Sequence, residues 1–284
     1  MRLITFEYER TQGFGLVLGD GIVDLQKKMG LFSLKELLES GRLDEVGEFA
    51  NAIPDYQLDQ VSFLPVIVDP AHIYCLAINY LDHVNEIANI GIHRDPPKHP
   101  AVFVRYADSL IGHRQALVKP AVSDDFDYEA ELAVVIGKAG RSIPEAQAME
   151  YVAGYTAFND ASVRDWQFHT RQIAPGKNFA ATGALGPWLV TKDEIPDPDN
   201  LRVTTRLNGE LLQDGNTRDM IHKIPAFISY VSTILPLKPG DVLATGTPSG
   251  VGFSRRPPLF MKAGDVVDVE VEGVGILSNP VVAG

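Results

Sequence analysis

The chain has a single cysteine, Cys75, among 284 residues. One thiol makes no intrachain disulfide, and a cysteine-rich metal site is excluded. Cys75 sits in "AHIYCLAINY", an apolar setting that suits an inert buried thiol better than a nucleophile. Basic charge is also scarce, with 25 Lys and Arg against 37 Asp and Glu and a formal net charge of -12. Such a surface repels phosphate backbones and anionic lipid heads, which argues against nucleic acid or a membrane as partner. The best basic patch is "HTRQIAPGK", His169 to Lys177. No apolar run approaches the ~20 residues of a membrane span. Glu7 and Glu9 stand where a signal peptide would carry its apolar core. A cytoplasmic protein is the expectation. Repeats of fixed period and low-complexity tracts are also missing.

What is present suits a globular protein of one large domain or a domain with an appendage. The composition is 45% hydrophobic and 22% charged, enough apolar material for a core. "RLITFEYE" and "GFGLVLGDGIVDL" alternate like strands around Gly-rich turns, and "SLKELLESGRLDEVGEFANAI" has helical spacing with Ser33 as N-cap. Pro65 and Pro70 punctuate the chain after this unit. The expected division is therefore a small α/β unit over 1–68, a docking or lid appendage, and a catalytic domain over 69–284. The second part carries many short strands and few helices. Helices are expected in "YLDHVNEIANIG", "SIPEAQAMEY", "SVRDWQFHT" and "KIPAFISYVSTIL", and "LNGELL" carries an Asn-Gly hairpin signal. This pattern points to an α+β architecture, barrel-like or a folded sheet, and away from a doubly wound parallel sheet.

One strand holds two carboxylates. In "DYEAELAVVIG", Glu129 and Glu131 are two apart and share a face, about 7 Å apart along the backbone. Ala133 and Val135 continue that face, while Leu132, Val134 and Ile136 take the other. Two partly buried like charges are unfavourable unless a proton or a cation lies between them, and Mg²⁺, Mn²⁺ or Ca²⁺ accepts oxygen ligands. The ordinary alternative is a solvated strand edge. Asp160, at the strand end in "GYTAFNDASVRDWQ", is either a third ligand or the N-cap of the helix that follows.

Two more groups could carry chemistry. "NYLDHVNEI" puts His83 and Glu86 three apart, neighbours on one helix face. A carboxylate beside imidazole fixes its tautomer and raises its basicity, as a water-activating base requires; a plain surface contact is the alternative. Lys177, in the Gly-rich "APGKNFAATGALGPW", could hold an anion, or could simply be solvated. "ATGTPSGVGF" is a small-residue loop whose backbone N–H groups and Thr247 could hold a carboxylate. It lacks the lysine of a P-loop, so ATP is not indicated.

Taken in order, "NYLDHVNE", "FDYEAELAVVIGK", "GYTAFNDASVRDWQ", "LNGELLQDGNTRDMI" and "LKPGDVLATGTPSGVG" resemble the fumarylacetoacetate hydrolase family, from about Ile73 to the C-terminus. The resemblance implies a mixed β-sandwich roll, usually a homodimer. It implies a metal triad at Glu129, Glu131 and Asp160 for Mg²⁺ or Mn²⁺, with Ca²⁺ possible in crystals. A water-activating pair falls on His83 and Glu86, and an active-site lysine on Lys177. Arg164, Gln167 and Thr247 match positions that face substrate. The implied activity is hydrolytic C–C cleavage of a β-diketo acid through a metal-bound enolate. The alternatives are isomerisation of an unsaturated hydroxy-diacid, or decarboxylation of an oxaloacetate-like acid, in aromatic catabolism. Three positions depart from the family pattern: Ala180 replaces an aspartate, Ala184 a proline, and Arg105 a common lysine. These departures are expected to alter the pocket wall.

Overall fold

In the computed structural model, which describes residues 1–92 and 95–284, the run "AELAVVI" forms the strand Ala130–Ile136, buried at every position. It pairs antiparallel with Val152–Asn159 on one side and with Val242–Ala244 on the other. Val242–Ala244 runs parallel to Ile73–Ala77, which Ala101–Val104 flanks. On the far side, Val152–Asn159 pairs with Gly183–Thr191, and that strand with Arg2–Tyr8. The N-terminal strands Arg2–Tyr8, Thr11–Leu18 and Gly21–Asp24 therefore continue the main sheet, across the proposed division at residue 68. A second sheet joins Arg202–Leu207, Glu210–Asn216, Val266–Val271, Gly275–Ala283 and Leu117–Lys119. The strand orders run between edges and neither sheet closes on itself, so the α+β architecture takes its folded-sheet form rather than a barrel.

Alternation along Ala130–Ile136 decides how these layers meet. Leu132, Val134 and Ile136 join Val203, Val269 and Leu277 of the second sheet, and Phe227, Ile228 and Val231 of the helix Ile224–Ile234, in one core. Ala133 and Val135 face the opposite way, toward Leu3, Leu16, Leu37 and Leu38 of the N-terminal unit. Burial of each such large side chain contributes about 1.5–3 kcal/mol. A one-residue slip of this strand would exchange the two sets of side chains, so both cores fix its register.

Local signals explain several elements. Asn208 and Gly209 have φ of 52° and 84°, which closes a tight two-residue hairpin between Arg202–Leu207 and Glu210–Asn216. The Ser33 side chain accepts a hydrogen bond from the Glu36 N–H at 3.1 Å and caps the helix Leu34–Glu39. Two helical expectations need correction. "SIPEAQAMEY" forms a 3-10 segment over Glu145–Tyr151. "SVRDWQFHT" keeps one helical turn, Arg164–Gln167, because Ser162–Val163 pairs with Phe126–Asp127. No helix among the described residues is long and apolar enough to cross a membrane.

Candidate active site

The carboxylate strand begins one residue after Glu129. Ala130 pairs with Asn159 and Glu131 with Phe158, so both acids stand beside the end of Val152–Asn159, where the chain continues into Asp160. The Asp160 N–H donates to the Glu129 carbonyl at 2.9 Å and ties those two residues together. One oxygen from each of Glu129, Glu131 and Asp160 lies within 4.8 Å of the others, and all three residues are buried. Asp160 is not a helix cap: the helical turn starts at Arg164, and the Asp160 carboxylate is taken by cations.

Those cations come from distant segments. Lys177 Nζ donates to Glu129 Oε2 and Asp160 Oδ2, each at 2.6 Å. The Arg105 guanidinium holds Asp160 Oδ1 at 2.6 Å and is fixed by Ser109, Ala161 and Thr182. Arg164 lies 2.7 Å from Glu129 and 2.8 Å from Asp127. Burial pushes the Glu129 carboxyl up, but Lys177 and Arg164 outweigh it and hold the group at about 2. Glu131 is different. Its Oε2 accepts the Gly246 N–H at 2.8 Å, and among the described residues it makes no ion pair. Burial, then the charges of Asp160 and Glu129, raise its carboxyl well above the ordinary range.

Four buried carboxylates, Asp127, Glu129, Glu131 and Asp160, thus face three buried cations, Arg105, Arg164 and Lys177. One acid, Glu131, is left without a cationic partner among the described residues and has only a backbone donor. A buried cluster of oxygen donors that lacks one cation fits a hard divalent ion, with Glu129, Glu131 and Asp160 as the residues that could hold it.

Opposite the acids, the helix Leu81–Asn89 presents His83 and Glu86. His83 Nδ1 lies 2.9 Å from Glu86 Oε2. A carboxylate only accepts, so Nδ1 carries the hydrogen and Nε2 is left with a free lone pair. Glu86 Oε1 in turn accepts from the Gly250 N–H at 2.8 Å and from Ser254 Oγ at 2.6 Å. The glycine loop was expected to offer its N–H groups to a ligand. Five of its backbone donors serve the protein's own acids instead: Gly246 serves Glu131, Ser249 serves Asp82 at 3.3 Å, Gly250 serves Glu86, and Gly252 and Phe253 serve Asp127 at 2.8 Å and 3.1 Å. Gly250 has φ of 104°, and a Cβ there would collide with the Leu212 carbonyl.

The two groups open onto one cavity of about 440 Å³. Glu129, Glu131, His83, Lys177, Arg164 and Gln167 line it, as does Thr247. Asp160 and Glu86 are not among the lining residues: Asp160 contacts Lys177, and Glu86 contacts His83. Gln167 accepts from Arg164 at 2.9 Å, and Thr247 accepts from Gln213 at 2.8 Å. The departures at Ala180, Ala184 and Arg105 do not form the wall, contrary to expectation. Ala184 is buried in the sheet opposite Asn159, Ala180 is exposed, and Arg105 sits beneath Asp160. Sequence reasoning missed Asp127 and Ser254. Asp127 lay two residues from Glu129 in the quoted motif, whereas no local signal marks Ser254. Cys75 is fully buried, and burial raises its thiol far above its usual range.

This arrangement of strand-borne acids, helix-borne dyad and glycine loop defines a small-molecule enzyme site. Residues 72–282 match the fumarylacetoacetate (FAA) hydrolase C-terminal family, and the chain belongs to that family. It is 42% identical over 294 aligned positions to "Oxaloacetate tautomerase fahd2, mitochondrial" of Xenopus laevis, covering 99% of this chain and 90% of that protein. Among solved structures it is similar to a fumarylacetoacetate hydrolase from psychrophilic Exiguobacterium antarcticum, with a TM-score of 0.84, 32% identity and both chains covered in full. It is also similar to maleylpyruvate hydrolase from Sphingobium sp. SYK-6 in complex with manganese (II) ion and pyruvate, with a TM-score of 0.82, 29% identity and both chains covered in full.

Proposed function

We propose that this enzyme interconverts the enol and keto forms of a small 2-oxo dicarboxylate, with oxaloacetate as the substrate and His83 as the proton carrier. The observation that carries the reading is that the His83–Glu86 dyad and the acidic triad open onto the same cavity. The substrate comes from the frog relative, which aligns over nearly the whole chain.

Neutral His83 takes the enol hydroxyl proton on Nε2. The C2 oxygen then becomes a carbonyl, the double-bond electrons move to C3, and the imidazolium returns the proton to C3. Glu86 stabilises the imidazolium between the two transfers. Arg164 and Lys177 fix the carboxylates around the reacting oxygen and limit the negative field there. When bound to Glu129, Glu131 and Asp160, Mg²⁺ or Mn²⁺ supplies Lewis acidity toward the oxo acid's oxygens. The apolar wall of Leu76, Ile78, Phe103 and Ile173 limits competing proton exchange with water.

A second reading is hydrolytic C–C cleavage of an acylpyruvate, favoured by the likeness to maleylpyruvate hydrolase. There the same Nε2 takes a proton from water. Loss of the enol absorbance, followed with and without enzyme in Mg²⁺, separates the two. Tautomerisation predicts accelerated conversion of oxaloacetate enol, unchanged carbon skeletons, and a loss of about 10²–10⁴ in His83→Ala. Acylpyruvate cleavage with oxygen taken from labelled water, and no effect on oxaloacetate enol, would replace it by hydrolysis; released CO₂ would mean decarboxylation. A homodimer and a cytoplasmic location belong to the same proposal, although the frog relative's name places that protein in mitochondria; sedimentation and cell fractionation test them.

A further inference from the structure

The cations around the cavity are not equivalent. Arg164 is committed to Asp127 and Glu129, and Lys177 to Glu129 and Asp160. Arg171 also lines the cavity, in the turn that follows Arg164–Gln167. It is exposed, and among the described residues no acidic group lies within ion-pair distance of it. In a chain with 37 acids and 25 bases, an arginine at a cavity wall without an acidic partner is conspicuous. The turn is closed locally, with Thr170 Oγ1 accepting from the Gln172 N–H at 3.0 Å, which fixes the backbone on both sides of Arg171. Phe168, Ile173 and Phe253 line the same cavity and offer apolar surface to the carbon skeleton of a ligand whose carboxylate meets Arg171.

We infer that Arg171 is the specificity-determining residue for the substrate's second carboxylate, and that it selects dicarboxylic over monocarboxylic oxo acids. The inference rests on the oxo-acid reading above. A guanidinium presents paired donors that match a carboxylate in bidentate geometry. Among the described residues, Arg164 and Lys177 are occupied by the protein's own acids, and Arg171 is the lining arginine that remains to meet a second substrate carboxylate.

Calorimetric titration of the Mg²⁺-loaded protein with oxaloacetate and with its C4 monomethyl ester isolates that carboxylate. The wild type binds the diacid about 10- to 100-fold more tightly, the range of a charge-assisted hydrogen-bonded pair. Arg171→Gln loses that preference by weakening the diacid alone, and Arg171→Lys recovers part of it. A preference retained in Arg171→Gln overturns the inference. So does an equal loss for both ligands, or a wild type that binds diacid and ester alike. The binding result stands apart from turnover: diacid preference lost in Arg171→Gln, in a protein that leaves oxaloacetate enol unchanged, would refute tautomerisation and support Arg171 recognition.

Discussion

Replacing Glu86 by glutamine keeps the shape of the side chain and removes its charge. The native carboxylate accepts from His83 Nδ1 at 2.9 Å, from the Gly250 N–H at 2.8 Å and from Ser254 Oγ at 2.6 Å. Glutamine has one acceptor oxygen and one donor amide. If the amide turns toward His83, Nδ1 must accept, the hydrogen moves to Nε2, and the imidazole is no longer a base toward the cavity. If the oxygen turns toward His83, the amide meets the Gly250 N–H, donor against donor. Ser254 can rotate its hydroxyl to accept, but a backbone N–H cannot. The second arrangement costs about 1–3 kcal/mol for an unsatisfied group, toward the low end because the Glu86 side chain is 17% exposed, whereas the first keeps the three contacts and costs the tautomer. Loss of the oriented base removes about 10²–10⁴ in turnover, equivalent to about 3–5 kcal/mol of barrier. Stopped-flow ketonisation of oxaloacetate enol, with metal content and thermal midpoint measured on the same samples, reads all three quantities. Glu86→Gln should keep its metal and melt slightly lower while kcat falls by at least 10²-fold. A metal-loaded Glu86→Gln within threefold of wild-type kcat would refute the dyad's role.

Two further outcomes follow from positions away from the acids. Gly250→Ala must shift a backbone at φ of 104° against the Leu212 carbonyl; it should lose about 2–4 kcal/mol of stability by chemical denaturation, with activity falling as the Glu86 contact is displaced. His113 is pushed down to about 4, mainly by burial and then by Arg114, and its Nδ1 accepts the Ser278 N–H at 3.0 Å, a bond that only the unprotonated nitrogen makes. The unfolded chain takes this proton near 6.5 and the folded chain only near 4, so the stabilisation is complete above about 6.5 and is lost as pH falls toward 4. Because His113 is partly exposed, the loss should be on the order of 1–2 kcal/mol; denaturation midpoints at pH 7 and 4.5 should show that this component disappears in His113→Phe.

The parts of the site that follow local periodicity were legible. Alternation placed Glu129 and Glu131 on one side and divided Leu132, Val134 and Ile136 from Ala133 and Val135, because the strand sits between two cores. Helical spacing brought His83 to Glu86, and Asn208-Gly209 marked its hairpin. Asp160 could not be resolved between cap and ligand, because its environment is made by Arg105, 55 residues before it, and Lys177, 17 residues after it. The glycine loop misled for a related reason. Its sequence announces free N–H groups, but the acids that take them lie 115 to 167 residues away. The pairing of Leu3 with Leu189, which ties the N-terminal unit into the main sheet, also depends on long-range contact. The choice between tautomerisation and cleavage is not written in either periodicity or motif, since both proposed reactions use the same His83–Glu86 pair.

The central claim is that Glu131, the buried acid without a cation, completes a divalent-ion site with Glu129 and Asp160. Anomalous diffraction from crystals grown in Mn²⁺ tests it most directly. A single manganese peak bonded to oxygens of all three side chains is the predicted result. A fully ordered site with no peak among them, or with manganese bound elsewhere on the protein, would contradict it.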